Sequence, residues 1–145
     1  MKNSLRFLFS LSLLVSVSFL NSCQKDNTTS QGSSDARNEY VGVWRFTESG
    51  FLKNGQSQSY IVSITKDANN SAQVILDNFG NPGDSGISAV GILTANQIVV
   101  SKQTLGNGWE VVGTGKKTTA GNMDWTYSIT AGGDLTYYTA TAVKQ

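Results

Sequence analysis

Three textures of polar and apolar residues divide the 145-residue chain. Phe7 to Leu20 is an apolar run interrupted only by Ser10, Ser12, Ser16 and Ser18, with Lys2 and Arg6 ahead of it. Residues 24–38 hold almost nothing apolar. From Tyr40 onward apolar residues recur at every second position, and nowhere at three-and-four spacing over a dozen positions. The third texture predicts strands near 41–48, 59–66, 72–78, 87–94, 97–104, 109–117, 122–130 and 134–143, with no helix of consequence.

Alternation also assigns faces, because successive side chains on a strand point to opposite sides of the sheet. Gly42, Trp44 and Phe46 share one face of the first strand, and Tyr60, Val62 and Ile64 one face of the second. In the sixth, Trp109, Val111, Gly113 and Gly115 oppose Glu110, Val112, Thr114 and Lys116. The seventh alternates most cleanly, with Met123, Trp125, Tyr127 and Ile129 on one side. In the last strand Leu135, Tyr137 and Thr139 compete with Tyr138, Ala140 and Ala142, and the inner face stays open. The breaks are turn chemistry: 67–70, Ala95-Asn96, 106–108, 120–122 and Gly132-Gly133. Connections this short join antiparallel neighbours, since a parallel crossover needs about a dozen residues. The fold expected is an all-β, antiparallel, eight-stranded up-and-down meander closed into a barrel, which removes both exposed edges. A two-sheet sandwich is the alternative.

The first texture has the basic, apolar, cleavage-site order of an export signal, and it is too short for a good transmembrane helix, which needs about 20 apolar residues. It ends in Leu20, Asn21, Ser22 and Cys23, which resembles the bacterial lipobox, and the chain's single cysteine stands at the one position where it could serve. That resemblance implies a signal peptide over 1–22, lipid attachment at Cys23 and a membrane as partner. Lys25 and Asp26 resemble the short signals that carry lipoproteins to the outer face of the outer membrane in one group of Gram-negative bacteria, so an outer-membrane, cell-surface location is expected. The polar stretch makes 23–39 a flexible tether, spanning roughly 20 Å on average, and leaves 40–145 as the folded domain.

Composition narrows the function by exclusion. The chain has no histidine and one cysteine, which removes His-based acid–base catalysis, Ser-His-Asp and Cys-His triads and the common zinc sites. A net charge of +1 without a basic cluster gives no reason to expect nucleic-acid binding. Gly113-Thr114-Gly115-Lys116-Lys117-Thr118 lacks the spacing and following helix of a phosphate loop, and Asp77, Asn78, Asn81 and Asp84 do not fit a calcium loop. Glu110 and Asp124 fall on outward faces, where carboxylates are solvated. No catalytic residue, metal ligand or cofactor is expected, and the protein is read as a non-enzyme.

Gly42-Val43-Trp44 on the first strand of such a meander is similar to the opening of lipocalins and related calycin barrels. The resemblance implies that Trp44 plugs the closed end while the open mouth receives a small hydrophobic ligand. Where those families carry an arginine near the end of the last strand, this chain offers Lys144. In an eight-strand meander the connectors after strands 1, 3, 5 and 7 lie at the end away from both termini, and they include the two longest, 49–58 and 79–86. Phe51, Leu52 and Phe79, apolar residues in those loops, are the expected ligand contacts together with Tyr127, while Trp44, Phe46 and Trp125 form the floor and core. The function expected is a membrane-anchored, lipocalin-like module binding a small apolar or amphipathic ligand. The alternative is a solid barrel serving as a protein-interaction or structural surface lipoprotein, since inward aromatics alone could fill it.

Overall fold

The structure, a computed structural model, describes residues 34–49, 57–83 and 86–145. Cys23, Phe51 and Leu52, and with them the export signal and the lipid-attachment site, lie outside the described residues. The folded unit is an eight-stranded closed barrel of consecutive antiparallel strands: β1 (Gly42–Ser49), β2 (Gln58–Lys66), β3 (Gln73–Asp77), β4 (Ser88–Thr94), β5 (Gln97–Thr104), β6 (Glu110–Lys117), β7 (Met123–Ala131) and β8 (Asp134–Lys144). The meander predicted from alternation is therefore the observed topology, and the sandwich is not.

Closure comes from β8, which pairs with β7 on one side and with β1 on the other, setting Trp44 opposite Lys144 and Phe46 opposite Ala142. The inner face of β8, open on sequence, is the one carrying Tyr138, Ala140 and Ala142. Tyr137 and Leu135 point outward and are well exposed. Small residues face inward there because β8 crosses behind the large rings of β1 and β7. The same logic explains β6. Gly113 pairs with Tyr127 and Gly115 with Trp125, and a side-chain carbon at either glycine would collide with its cross-strand aromatic partner. Gly115 is thus a seat for the Trp125 indole, and Gly113 leaves room for the Tyr127 backbone and Cβ, which is the positional meaning of glycine within a strand.

The pairing has one irregular place. Between Val100 and Gln103 the register of β5 against β6 shifts by a bulge, and β5 pairs with β4 only from Gln97 to Val99. Beyond that point the Gln103 side chain stands in for a strand: its Oε1 accepts from the Val90 N–H and its Nε2 donates to the Val90 carbonyl, both at 2.8 Å.

The floor is closed by residues assigned to the tether on composition. Ala36–Glu39 forms a 3-10 helix, capped by the Asp35 side chain accepting from the Arg37 N–H, and the compact unit begins at Ser34. Arg37, buried, donates through Nη1 to the carbonyls of Asp67, Asn70 and Gln73, and so binds this helix to the β2–β3 turn. Asp35 pairs with both Arg37 and Lys66. Trp44 lies just inside, its Nε1 donating 2.7 Å to the Tyr40 carbonyl, with the Lys144 ammonium 5.5 Å from its ring centre. The folded domain therefore starts about five residues before Tyr40, because charged and polar side chains here satisfy backbone carbonyls of the barrel's turns instead of water.

Candidate functional site

Parity along the strands stacks the interior in layers from floor to mouth. Trp44 and Met123 sit low; Phe46 and Trp125 follow, with ring centres 5.4 Å apart. Above them is Phe79, from the β3–β4 connection, 5.1 Å from both Trp125 and Tyr127 and edge-on to Phe46. Phe79 is fully buried. The expectation that it is an exposed loop residue contacting ligand is corrected: it is a core residue that fills the barrel's upper half. The reason is local backbone. Asn78 and Asn81 adopt positive φ of 62° and 55°, with Gly80 between them at 80°, a left-handed path that asparagine and glycine tolerate. The Asn78 amide donates to the Ile61 carbonyl. This tight turn aims the phenyl ring inward.

The uppermost layer is polar. Glu48 is the fourth inward residue of β1 after Gly42, Trp44 and Phe46, and it is 8% exposed. The Tyr127 hydroxyl donates a hydrogen bond to its carboxylate, and the Tyr60 hydroxyl lies 2.9 Å from that of Tyr127. The Tyr127 hydroxyl has one hydrogen to donate, and Glu48 accepts it. Tyr60 is therefore the donor to Tyr127, and the three form a directed relay ending on the carboxylate. Burial, reinforced by neighbouring Tyr60 and Glu48, pushes the Tyr127 phenol far above its ordinary pKa. Burial raises Tyr60 as well, partly offset by its bond to Tyr127. Both hydroxyls stay protonated and the relay keeps its direction.

Over this layer lies a cup of about 400 Å³, half open to solvent, at the end away from both termini of the barrel. Glu48 lines it, Trp109 and Tyr138 supply aromatic walls, and Asp134 and Asn81 stand at its edge. Tyr138 stacks on Tyr127 at 5.1 Å with planes 12° apart, so the relay and the wall brace each other. Tyr127, expected at the ligand, reaches the cup through Glu48. Glu48 was not singled out from sequence, although the parity of β1 carries it inward. Trp109 was legible only as an inward residue of the sixth strand, and Tyr138 stood on one of two faces of the last strand between which alternation did not choose. Trp44, Phe46 and Trp125 are buried below. The indole N–H of Trp125 has no acceptor among the described residues.

A second concavity, about 510 Å³ and shallower, runs over the outside of β5–β8, where Val99, Val112, Thr126, Tyr137 and Thr139 face outward. Val112 and Tyr137 are exposed. Ser128, on the outward face of β7, is nevertheless buried, between its cross-strand partners Val112 and Tyr137. Among the described residues no three His, Cys, Asp or Glu side chains converge as a metal site would need. No protein-family model, curated protein or solved structure matches the chain.

Proposed function

We propose that this protein is a non-enzymatic, lipocalin-like binding module, anchored to the outer membrane through Cys23 and displayed at the cell surface, that holds a small amphipathic ligand in the cup at the barrel mouth. The observation that carries this reading is a concave site of about 400 Å³ with a buried carboxylate at its base, in a barrel otherwise filled by packed rings. A pocket of that size is within the range of small-molecule sites, and its lining sets Trp109, Ile129 and Tyr138 beside Glu48, Gln58, Asn81 and Asp134, the mixture an amphipathic ligand would meet. Phe79 narrows the reading: it occupies the depth that a long apolar ligand would need, so the ligand is small and mouth-bound. Trp44 closing the floor beneath Lys144 is consistent with the calycin resemblance.

The test is a panel of small amphipathic molecules titrated into the full chain in non-ionic detergent, followed by tryptophan emission and melting temperature. One member should quench saturably and raise the melting temperature, as a ligand of the folded state does, and Trp109→Phe should remove most of the quench. Fatty-acid labelling in cells tests the anchor: label is expected on the wild type and absent from Cys23→Ala.

A second reading, a solid barrel that docks proteins, is favoured by the outer groove with Val112 and Tyr137 exposed beside it. It gains if no panel member binds.

A further inference from the structure

We infer that the group the mouth takes in is an organic cation, an ammonium or guanidinium carried on a small apolar body; this deepens, and rests on, the reading of the mouth as a ligand site. Glu48 is more than nine-tenths buried, and among the described residues no lysine or arginine pairs with it. The ion pairs there involve Asp35, Glu39 and Glu110. The carboxylate is met by a neutral phenol. A charge withdrawn from water toward neutral donors keeps most of its desolvation penalty until an opposite charge arrives. The rest of the cup has the same sign: among the described residues Asp134 is the other acidic side chain in the lining, and none of those lining it is Lys or Arg.

The walls favour the same class. Trp109 and Tyr138 line the same cup as the carboxylate, and aromatic rings near a carboxylate are surroundings that attract an ammonium, through the ring quadrupole as well as the charge. A fatty acid or other carboxylate would bring like charge against Glu48 and Asp134. A bare metal ion would find few charged ligands, since among the described residues no three His, Cys, Asp or Glu side chains converge there. What fits is a cation with an apolar body of its own, head toward Glu48 and body against the rings.

The experiment uses three matched probes on the full chain: phenethylamine, 3-phenylpropionate and 3-phenylpropanol. Binding is followed by calorimetry and tryptophan emission, with Glu48→Gln as the main variant. Glutamine keeps an acceptor for Tyr127, so the relay and the fold are retained, as a melting temperature of the free variant equal to or above that of the wild type would verify. The expected result is saturable binding of the amine at least about tenfold tighter than of the acid or the alcohol. Glu48→Gln should cost the amine about tenfold or more and leave the alcohol unchanged. Asp134→Asn, at the rim, should cost the amine about twofold to threefold, and less at high salt. Equal or tighter binding of the alcohol or the acid overturns the cation assignment while leaving the mouth as the ligand site. Binding of none of the three, with Glu48→Gln lowering the melting temperature, marks Glu48 as a structural acceptor and overturns both readings.

Discussion

Two tryptophans of one core differ in the surroundings of a single atom. The Trp44 indole N–H serves the Tyr40 carbonyl, while that of Trp125 meets no acceptor among the described residues. Replacing each by phenylalanine removes similar volume, so the difference between the two reports the hydrogen bond. Trp44→Phe strands a buried carbonyl and should cost about 1–3 kcal/mol more than Trp125→Phe, which removes a polar group already unpaired. Urea denaturation of the two variants measures this. Phe79 makes the complementary case: Phe79→Ala should cost about 3–5 kcal/mol by the same assay, the range for emptying a packed aromatic site. A surface loop residue would cost almost nothing. Thr126, outward on β7 one residue from Trp125, should tolerate alanine within about 0.5 kcal/mol.

At the scale of elements, two side chains complete pieces of secondary structure that the backbone leaves unfinished. Gln103 takes the place of a missing strand beside Val90, giving and accepting one bond each. Gln103→Ala should cost about 1 kcal/mol and speed amide exchange at Val90 more than at Val99, where β4–β5 pairing is direct. Asp35 caps the 3-10 helix, and its carboxyl is held below the ordinary range, first by the Arg37 hydrogen bond and then by Lys66. A carboxyl depressed in the folded state stabilises in full above the unfolded value of about 4 and loses that contribution as pH falls below it. The urea midpoint of the wild type should accordingly exceed that of Asp35→Asn at pH 7, and the gap should shrink steadily below about pH 4.

These elements also show what the sequence could and could not tell. Strand limits and inner faces were legible for β1, β2, β6 and β7, because one face is packed and the other wet, and period two records that difference directly. It failed for β8, where tyrosines fall on both faces and the small residues that fit behind large rings carry little hydropathy. Phe79 was misjudged because its direction is set by the left-handed backbone at Asn78, Gly80 and Asn81, which leaves no periodic trace. Glu48 could have been found: counting by twos from Gly42 lands on it. Arg37 could not, since its partners are carbonyls of a turn thirty or more residues away.

For the whole molecule, the join of β1 to β8 has a consequence in time. Every other strand pair links neighbours along the chain through a connection of ten residues or fewer and can form early, at little loop-closure cost. The last pair sets Phe46 opposite Ala142, residues separated by nearly the entire domain, and non-local pairing of that kind slows folding. Before it forms, β1 and β7 each present a bare edge beside Trp44, Phe46 and Trp125, and bare edges next to apolar surface template association between chains. The half-made barrel is therefore the hazardous species. A chain cut short ahead of Asp134 should collect in insoluble form, and refolding should yield less soluble protein as concentration rises. Once β8 slots in, the same strands offer a neighbour nothing to pair with.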